Sequence, residues 1–535
     1  MRLLDKFKKL FLMLSITKII LNNFKRFRHL ELVCNERLNI FVGDNESGKS
    51  TILQAIDLVS RGSLRRVEDI GLSNLFNAET ISEFLAGDKD YTKLPIMSIE
   101  LYFSEAHDIN LNGNNNSEKR ITDGIKLVCL PNEGEYGAYI RDILSSAEPA
   151  FPFEFYKIEF STFSGQPYNG HTRKHNSIFI DNSQMGNPYA LNEYVHTIYK
   201  SSTNEEERLQ IKHQYHRLKV TFAEEVLSKY KPSVNEACKY IVRDTSTDNI
   251  ETSISLQYSG VPIENKGKGQ LCLIKTEVAL QNVTDYIDAI LMEEPENHLS
   301  YGKMLQLISH IQNSTKKQLF LTTHSDMIAT RLGLRNCILL NNQNQNIAQL
   351  SSVPEDTANF FMKAPDNNML QYILSSKSIL VEGDAEYILM DKFTKCVTNK
   401  SLEELNISVI AVDGRCFKRY LEISKILPIK TVVLTDNDGD YSDNIQQTYA
   451  EYVNFQIPNI GIFADSNDNR RTFEVCMYED NKGLCDELFS SPQRRLTIQE
   501  YMLRNKADAA FTLLTSGKDL NIPQYIHDAL KWIVD

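Results

Sequence analysis

The chain has 535 residues, 42% hydrophobic and 24% charged, with a formal net charge of −12 at pH 7. The length exceeds one ordinary core and favours roughly two to four domains. No run reaches the roughly 18 apolar residues that a membrane span requires, and the acidic balance argues against a surface coated in nucleic acid. Nine cysteines stand scattered without CxxC pairs, which argues against a disulfide framework and a zinc site.

At the N-terminus, Lys6, Lys8 and Lys9 precede the apolar run Leu10–Leu14. Lys18 interrupts that run and no small-residue cleavage site follows. Residues 1–13 therefore read as a basic amphipathic extension rather than a signal peptide, with Met13 a candidate alternative start, and a cytoplasmic protein is expected. Leu14 to Val42 alternates as strands do, ending in the apolar run Leu38–Val42. A glycine loop comes next, then a helical pattern from Lys49 to Leu58.

Ile96 to Phe103 reads as a strand and Asn110 to Ser117 as a polar turn. The stretch from Glu205 to Val242 is helical in period, and an insert over about 190–245 is expected to serve dimerisation. Strands recur at Ile287–Met292 and Gln318–Thr322. The pattern loosens around Pro354 and Pro365, so 353–377 reads as a linker. Strands return at Ser378–Val381, Ile407–Val412 and Thr431–Leu434.

The expectation is an α/β protein with parallel sheets in both halves and no internal repeat. Its divisions are an extension (1–13), a first domain (14–352), a linker (353–377) and a second domain (378–535). Basic clusters at Lys25–Arg28, Arg61–Arg66, Arg415–Arg419, Arg470–Arg471 and Arg494–Arg495 read as solvated patches unless a site lies beside them.

Gly43-Asp44-Asn45-Glu46-Ser47-Gly48-Lys49-Ser50-Thr51 satisfies G-x-x-x-x-G-K-[ST] in full. The glycines let backbone N–H groups and the next helix N-terminus face an anion. Lys49 would reach the β- and γ-phosphates of ATP, and the Ser50 hydroxyl would ligate Mg²⁺. The buried strand Ala289–Met292 runs into Glu293-Glu294-Pro295-Glu296. Adjacent strand-end carboxylates suit two tasks: Glu293 in the metal sphere and Glu294 polarising the attacking water. A second buried strand, Leu319–Thr322, leads to His324.

This order resembles the ABC, RecF and SMC ATPases. The resemblance implies that His324 senses the γ-phosphate and that Lys266-Gly267-Lys268-Gly269-Gln270 is the signature loop. It further implies that Gly267, Lys268, Gly269 and Gln270 contact a nucleotide held by a partner subunit, hence a homodimer or larger assembly. The loop departs from the transporter pattern in lacking its serine and carrying Lys268.

In the second half, Ile379–Val381 runs into Glu382-Gly383-Asp384-Ala385-Glu386, and Val432–Thr435 into Asp436-Asn437-Asp438-Gly439-Asp440. Alternate aspartates at a strand end can converge on one hard cation, and the spacing is not that of an EF-hand. The two motifs together resemble a Toprim domain. With Thr472-Phe473-Glu474 and Asn505-Lys506 following in order, the chain from about Leu14 resembles the OLD (overcoming lysogenisation defect) nucleases. No motif supports that likeness over 105–250.

The resemblance implies phosphodiester cleavage with two Mg²⁺ or Mn²⁺ ions. Glu382, Glu386, Asp436 and Asp438 would form one metal environment, with Glu382 also acid/base. Glu474, Asp440 and the Thr472 hydroxyl would form the second, and Lys506 would stabilise the transition state. DNA is the expected substrate. The family also implies antiphage defence, with a helicase partner or a reverse transcriptase and its msDNA. Two other readings stand beside it: a RecF/SMC-like repair clamp whose Toprim half does not cut, and a nuclease acting on RNA such as tRNA.

Overall fold

The computed structural model describes residues 14–104, 108–146, 150–181, 188–230, 239–242, 250–281, 287–313, 317–341, 347–364, 368–412, 416–453, 456–490 and 495–535. The expected extension 1–13, Cys238, Arg415 and Arg494 fall outside them. The chain forms two compact units: residues 1–324 with 340–347, and residues 325–339 with 348–535.

In the first unit, strand Ile16–Phe24 pairs antiparallel with Phe27–Val33 and, on its other side, with Met97–Phe103; the latter pairs with Thr122–Pro131. Ile19, Leu21, Ile99, Leu101 and Leu127 are wholly buried. Beside the parallel sheet expected in this half stands this six-stranded antiparallel one, which the sequence reading did not include. The reason is local. Asn23 and Lys25 take left-handed φ values of 51° and 49°, closing a tight turn that joins only antiparallel neighbours.

The expected parallel sheet lies in the same unit, with Leu38–Gly43, Gln318–Thr322, Ala289–Glu293 and Ser177–Asp181 adjacent in that order. Phe41, Val42, Leu291, Met292, Phe320 and Leu321 have no exposure, as strands covered on both faces require. Helix Lys49–Arg61 buries Ile52, Leu53, Ile56 and Val59. Beyond the sheet stand helices Pro188–Ser202 and Glu205–Glu225. The second buries none of its 21 residues and starts from a capping box of Asn204 and Glu207.

In the second unit, the segment read as a linker is helical over Glu355–Lys363 and Met369–Leu374, and it buries Phe361, Met369 and Tyr372. Pro354 stands directly before the first of these helices, where a proline starts a helix instead of interrupting it. Four parallel strands follow in the order Ile407–Ala411, Lys377–Val381, Lys430–Leu434, Ile460–Phe463. Helices Asp384–Thr398, Lys506–Thr515 and Gln524–Val534 close one core with them, through Leu389, Phe393, Leu513, Leu530 and Ile533. Among the described residues, no helix is long and apolar enough to cross a membrane.

Leu530 is wholly buried in that core. Leu530→Ala is expected to destabilise the second unit by about 2–5 kcal/mol, read as a lowered unfolding midpoint in thermal denaturation followed by circular dichroism.

Candidate functional site

Strand Leu38–Gly43 delivers the phosphate loop, and the helix begins at Lys49. Gly48 sits at φ 97°, and a Cβ there would lie 2.4 Å from Phe27 Cζ. Only glycine therefore closes the loop beneath the Arg26-Phe27 turn. The free N–H groups of the helix's first turn face back over it. Lys49 Nζ donates to the carbonyls of Gly43 and Asp44, both at 2.8 Å. Burial lowers its pKa, against the pull of Glu294 and Asp44. Asn45 and Ser50 are exposed, Thr51 is half-buried in the first turn, and Ser50 hydrogen-bonds the Glu293 carboxylate.

Register brings the remaining groups to the same edge. Glu293 stands opposite Thr322 on one side and Asp181 on the other. Burial pushes the Glu293 carboxyl up, the Ser50 hydroxyl draws it back, and Asp181 and Glu294 add to the rise. Glu294 takes a left-handed φ of 41° and donates its N–H to the Thr322 carbonyl at 3.1 Å. Its Oε1 lies 3.5 Å from His324 Nε2, and its Oε2 accepts from Asn297 Nδ2 at 2.8 Å. Lys49, Ser50, Glu293, Glu294 and His324 are thus brought together.

The signature segment leads into helix Lys268–Gln281. A Cβ on Gly269 would meet the His298 carbonyl oxygen at 2.3 Å, so this helix start lies against the turn that follows Glu294. Gly267, Lys268 and Gln270 are exposed.

Sequence reasoning passed over three features here. Lys25, read as part of a solvated patch, is half-buried and feels the charge of Glu293. Asp181 reaches the edge through strand pairing, which no local pattern announces. Glu296 is half-buried, and burial raises its pKa. The signal for it was present: a third acid two residues beyond Glu294. The other basic clusters are largely engaged in ion pairs. Arg61 and Arg66 bind the buried Asp57 at 2.6 and 3.2 Å, and Arg28 binds Glu79 and Glu83.

In the second unit, parallel strand ends deliver Glu382 and Asp436 side by side. Glu382 Oε1 accepts from Thr435 Oγ1 at 2.6 Å and from the Asp436 N–H at 2.8 Å. Asp436 Oδ1 in turn accepts the Phe473 N–H at 2.8 Å, capping helix Phe473–Asp480, whose first turn carries Glu474. Glu474 is 2% exposed and lies 3.0 Å from Lys506 Nζ. Glu386, buried in the first turn of its helix, is pushed up to about 7 by burial, with Glu474 and Glu382 adding. Asp436 is pushed up to about 8 by burial, then by Glu382, Glu386 and Glu474, with Lys506 opposing.

Glu382, Glu386, Asp436, Glu474 and Lys506 therefore form one charge cluster. Asp438 and Asp440 are exposed, and Asp440 Oδ1 accepts the Asp443 N–H at 3.0 Å. The Thr472 hydroxyl caps its own helix by accepting from Val475 N–H at 3.5 Å.

Arg470, read from the sequence as part of a solvated patch, binds Asp465 at 2.7 Å and Asp480 at 2.6 Å, pinning the preceding loop to the Glu474 helix. Among the described residues, no three His, Cys, Asp or Glu side chains are grouped so as to hold a metal ion. The donor chemistry nevertheless fits a hard divalent cation. Glu474 Oε2 is buried without a hydrogen-bond partner, Oε1 has only the Lys506 ammonium, and Glu474, Asp436 and Glu386 all act on that lysine.

Comparison with known proteins finds a domain match in each unit. Residues 14–250 match the model of an AAA ATPase domain, and residues 373–438 match that of an overcoming lysogenization defect protein-like TOPRIM domain. No curated protein matches the chain. A solved SMC head bound to the C-winged helix domain of ScpA is similar at 15% identity, over 64% of this chain and 100% of that one, with TM-score 0.36. The C-terminal region of the Burkholderia pseudomallei OLD protein is similar at 20% identity, over 30% and 98%, with TM-score 0.25. That of Xanthomonas campestris pv. campestris is similar at 25% identity, over 30% and 93%, with TM-score 0.24. The chain thus carries an AAA-type ATPase domain ahead of an OLD-like Toprim domain.

Proposed function

We propose that the protein is a divalent-metal-dependent endonuclease that cuts or nicks DNA, with ATP binding and hydrolysis controlling the cut. The observation that carries this reading is the cluster of half-buried Glu382 and Asp436 with buried Glu386 and Glu474, beside Lys506. So many carboxylates packed together make sense where positive charge is to be bound.

Glu382, Asp436 and Glu474 would hold the cation, with Glu386 behind them. Asp438, Asp440 and Thr472 are candidates for completing a second position. When bound, such cations supply Lewis-acid neutralisation of the phosphodiester and a nucleophile at neutral pH. Lys506 stabilises charge gathering on the phosphate oxygens. Thr435 and the Asp436 N–H keep Glu382 oriented, and Arg470 keeps the Glu474 helix in place.

In the ATPase unit, the loop backbone and Lys49 grip the phosphates, Ser50 and Glu293 hold Mg²⁺, and Glu294 orients the attacking water. His324, beside Glu294, reads the γ-phosphate. The exposed Gly267, Lys268 and Gln270 would meet nucleotide bound to a second copy, with helices Pro188–Ser202 and Glu205–Glu225 joining the copies. A role in antiphage defence, with a helicase or a reverse transcriptase and its msDNA as partner, belongs to this same reading.

Purified protein with Mg²⁺ or Mn²⁺ is expected to cleave supercoiled or linear DNA in preference to tRNA, and Glu382→Ala or Asp436→Ala to abolish cleavage. Metal-dependent DNA binding without cleavage, with and without ATP, would overturn the reading in favour of a clamp. In the ATPase unit, Lys49→Ala is expected to lose ATP binding by calorimetry. Glu294→Gln is expected to bind ATP but turn it over at least about 100-fold more slowly. Unchanged turnover in Glu294→Gln would remove the water-orienting role from that residue.

A further inference from the structure

We infer that Glu296 is a positioning residue for ATP hydrolysis, fixing His324 against Glu294 from the turn that Glu294 itself begins. The inference rests on the ATPase reading above.

Glu294 takes left-handed φ, Pro295 follows, and the chain doubles back so that Glu296 points across to the neighbouring strand end. Its Oε1 accepts from Thr323 Oγ1 at 2.8 Å and from the His324 N–H at 2.7 Å. Both are charge-assisted bonds, the stronger kind. Its Oε2 is buried with no hydrogen-bond partner. A carboxylate oxygen buried without a partner is costly. Glu296 is therefore poorly explained as packing. What it does accomplish is to hold the backbone of the residue that faces Glu294.

The rest of the turn supports this role. Asn297, next along, donates to Glu294 Oε2, so one four-residue turn grips both partners of the 3.5 Å contact between Glu294 and His324. On its other side the turn is fixed to the signature helix, where Cys272 Sγ donates to the Pro295 carbonyl at 3.4 Å and Gly269 lies against the His298 carbonyl. A shift of that helix reaches His324 through Glu296 without touching nucleotide.

The test uses the full chain and two readouts: hydrogen exchange at the His324 amide, and steady-state ATP hydrolysis. Glu296→Ala is expected to speed exchange at that amide and to lower kcat, each by about tenfold or more, with KM within about threefold of wild type. Glu296→Gln, which keeps an acceptor oxygen, is expected to restore both to within about threefold. Glu296→Ala combined with His324→Ala is expected to be no slower than His324→Ala alone, because the two act as one unit.

Wild-type exchange and kcat in Glu296→Ala, a Glu296→Gln variant as impaired as the alanine variant, or fully additive losses would each overturn the inference. Absence of ATP turnover in the wild type would instead sink the ATPase reading, and exchange at His324 would still decide whether Glu296 holds that residue.

Discussion

Everything at both sites depends on the register of parallel strands. In the first unit, Phe41, Thr322, Glu293 and Asp181 are neighbours across the sheet; in the second, Val381 pairs with Ala411, and Leu380 with Val433. Parallel strands that start together also end together, and their carboxyl ends are where open α/β sheets present ligand-binding loops. A slip of one residue in Ala289–Glu293 would turn every side chain of that strand to the opposite face, separating Glu293 from Ser50. The apolar runs that set the register, buried on both faces, are thus as necessary to the chemistry as the acids that follow them.

That construction concentrates negative charge, and the two units relieve it differently. At the phosphate loop, Lys49 and Lys25 stand among Glu293, Glu294, Glu296 and Asp44, and backbone N–H groups and hydroxyls accept much of the remaining burden. In the second unit, Glu382 is held by Thr435 and the Asp436 N–H, and Asp436 by a helix N-terminus, where partial positive charge favours an anion. Glu474 has Lys506 alone, and its Oε2 is buried without a partner. Burial raises the Glu386 and Asp436 pKa values, and the neighbouring carboxylates add to the rise.

Much of this was legible in the sequence. The phosphate loop, the strand-end acids at 293–294 and 382, and the DNDGD turn are local patterns, and apolar strands bracket each of them. The strand Gln318–Thr322 appears with the bounds read from its composition. What escaped was non-local. Asp181 becomes a neighbour of Glu293 only through a pairing across more than 100 residues, and the antiparallel sheet depends on a turn at Asn23–Lys25 that carries no glycine. The segment 353–377 looked like a linker because prolines mark helix starts as well as breaks, and the packing of Phe361 and Tyr372 decides between the two.

The residues that escaped also differ in kind from those that were found. Lys49, Glu294 and Glu382 belong to motifs because contact with a phosphate or a cation demands a particular side chain. Glu296, Asn297, Thr435 and Arg470 orient such residues, and orientation can be achieved by many side chains from many places. Arg470 shows how strongly a position may still be constrained: its guanidinium binds Asp465 and Asp480 together, and replacing it by lysine would lose the planar fork that spans them. Residues of this second kind can be recognised only once coordinates show what they hold. A motif therefore identifies the chemistry of a site, while its precision rests on side chains that no motif contains.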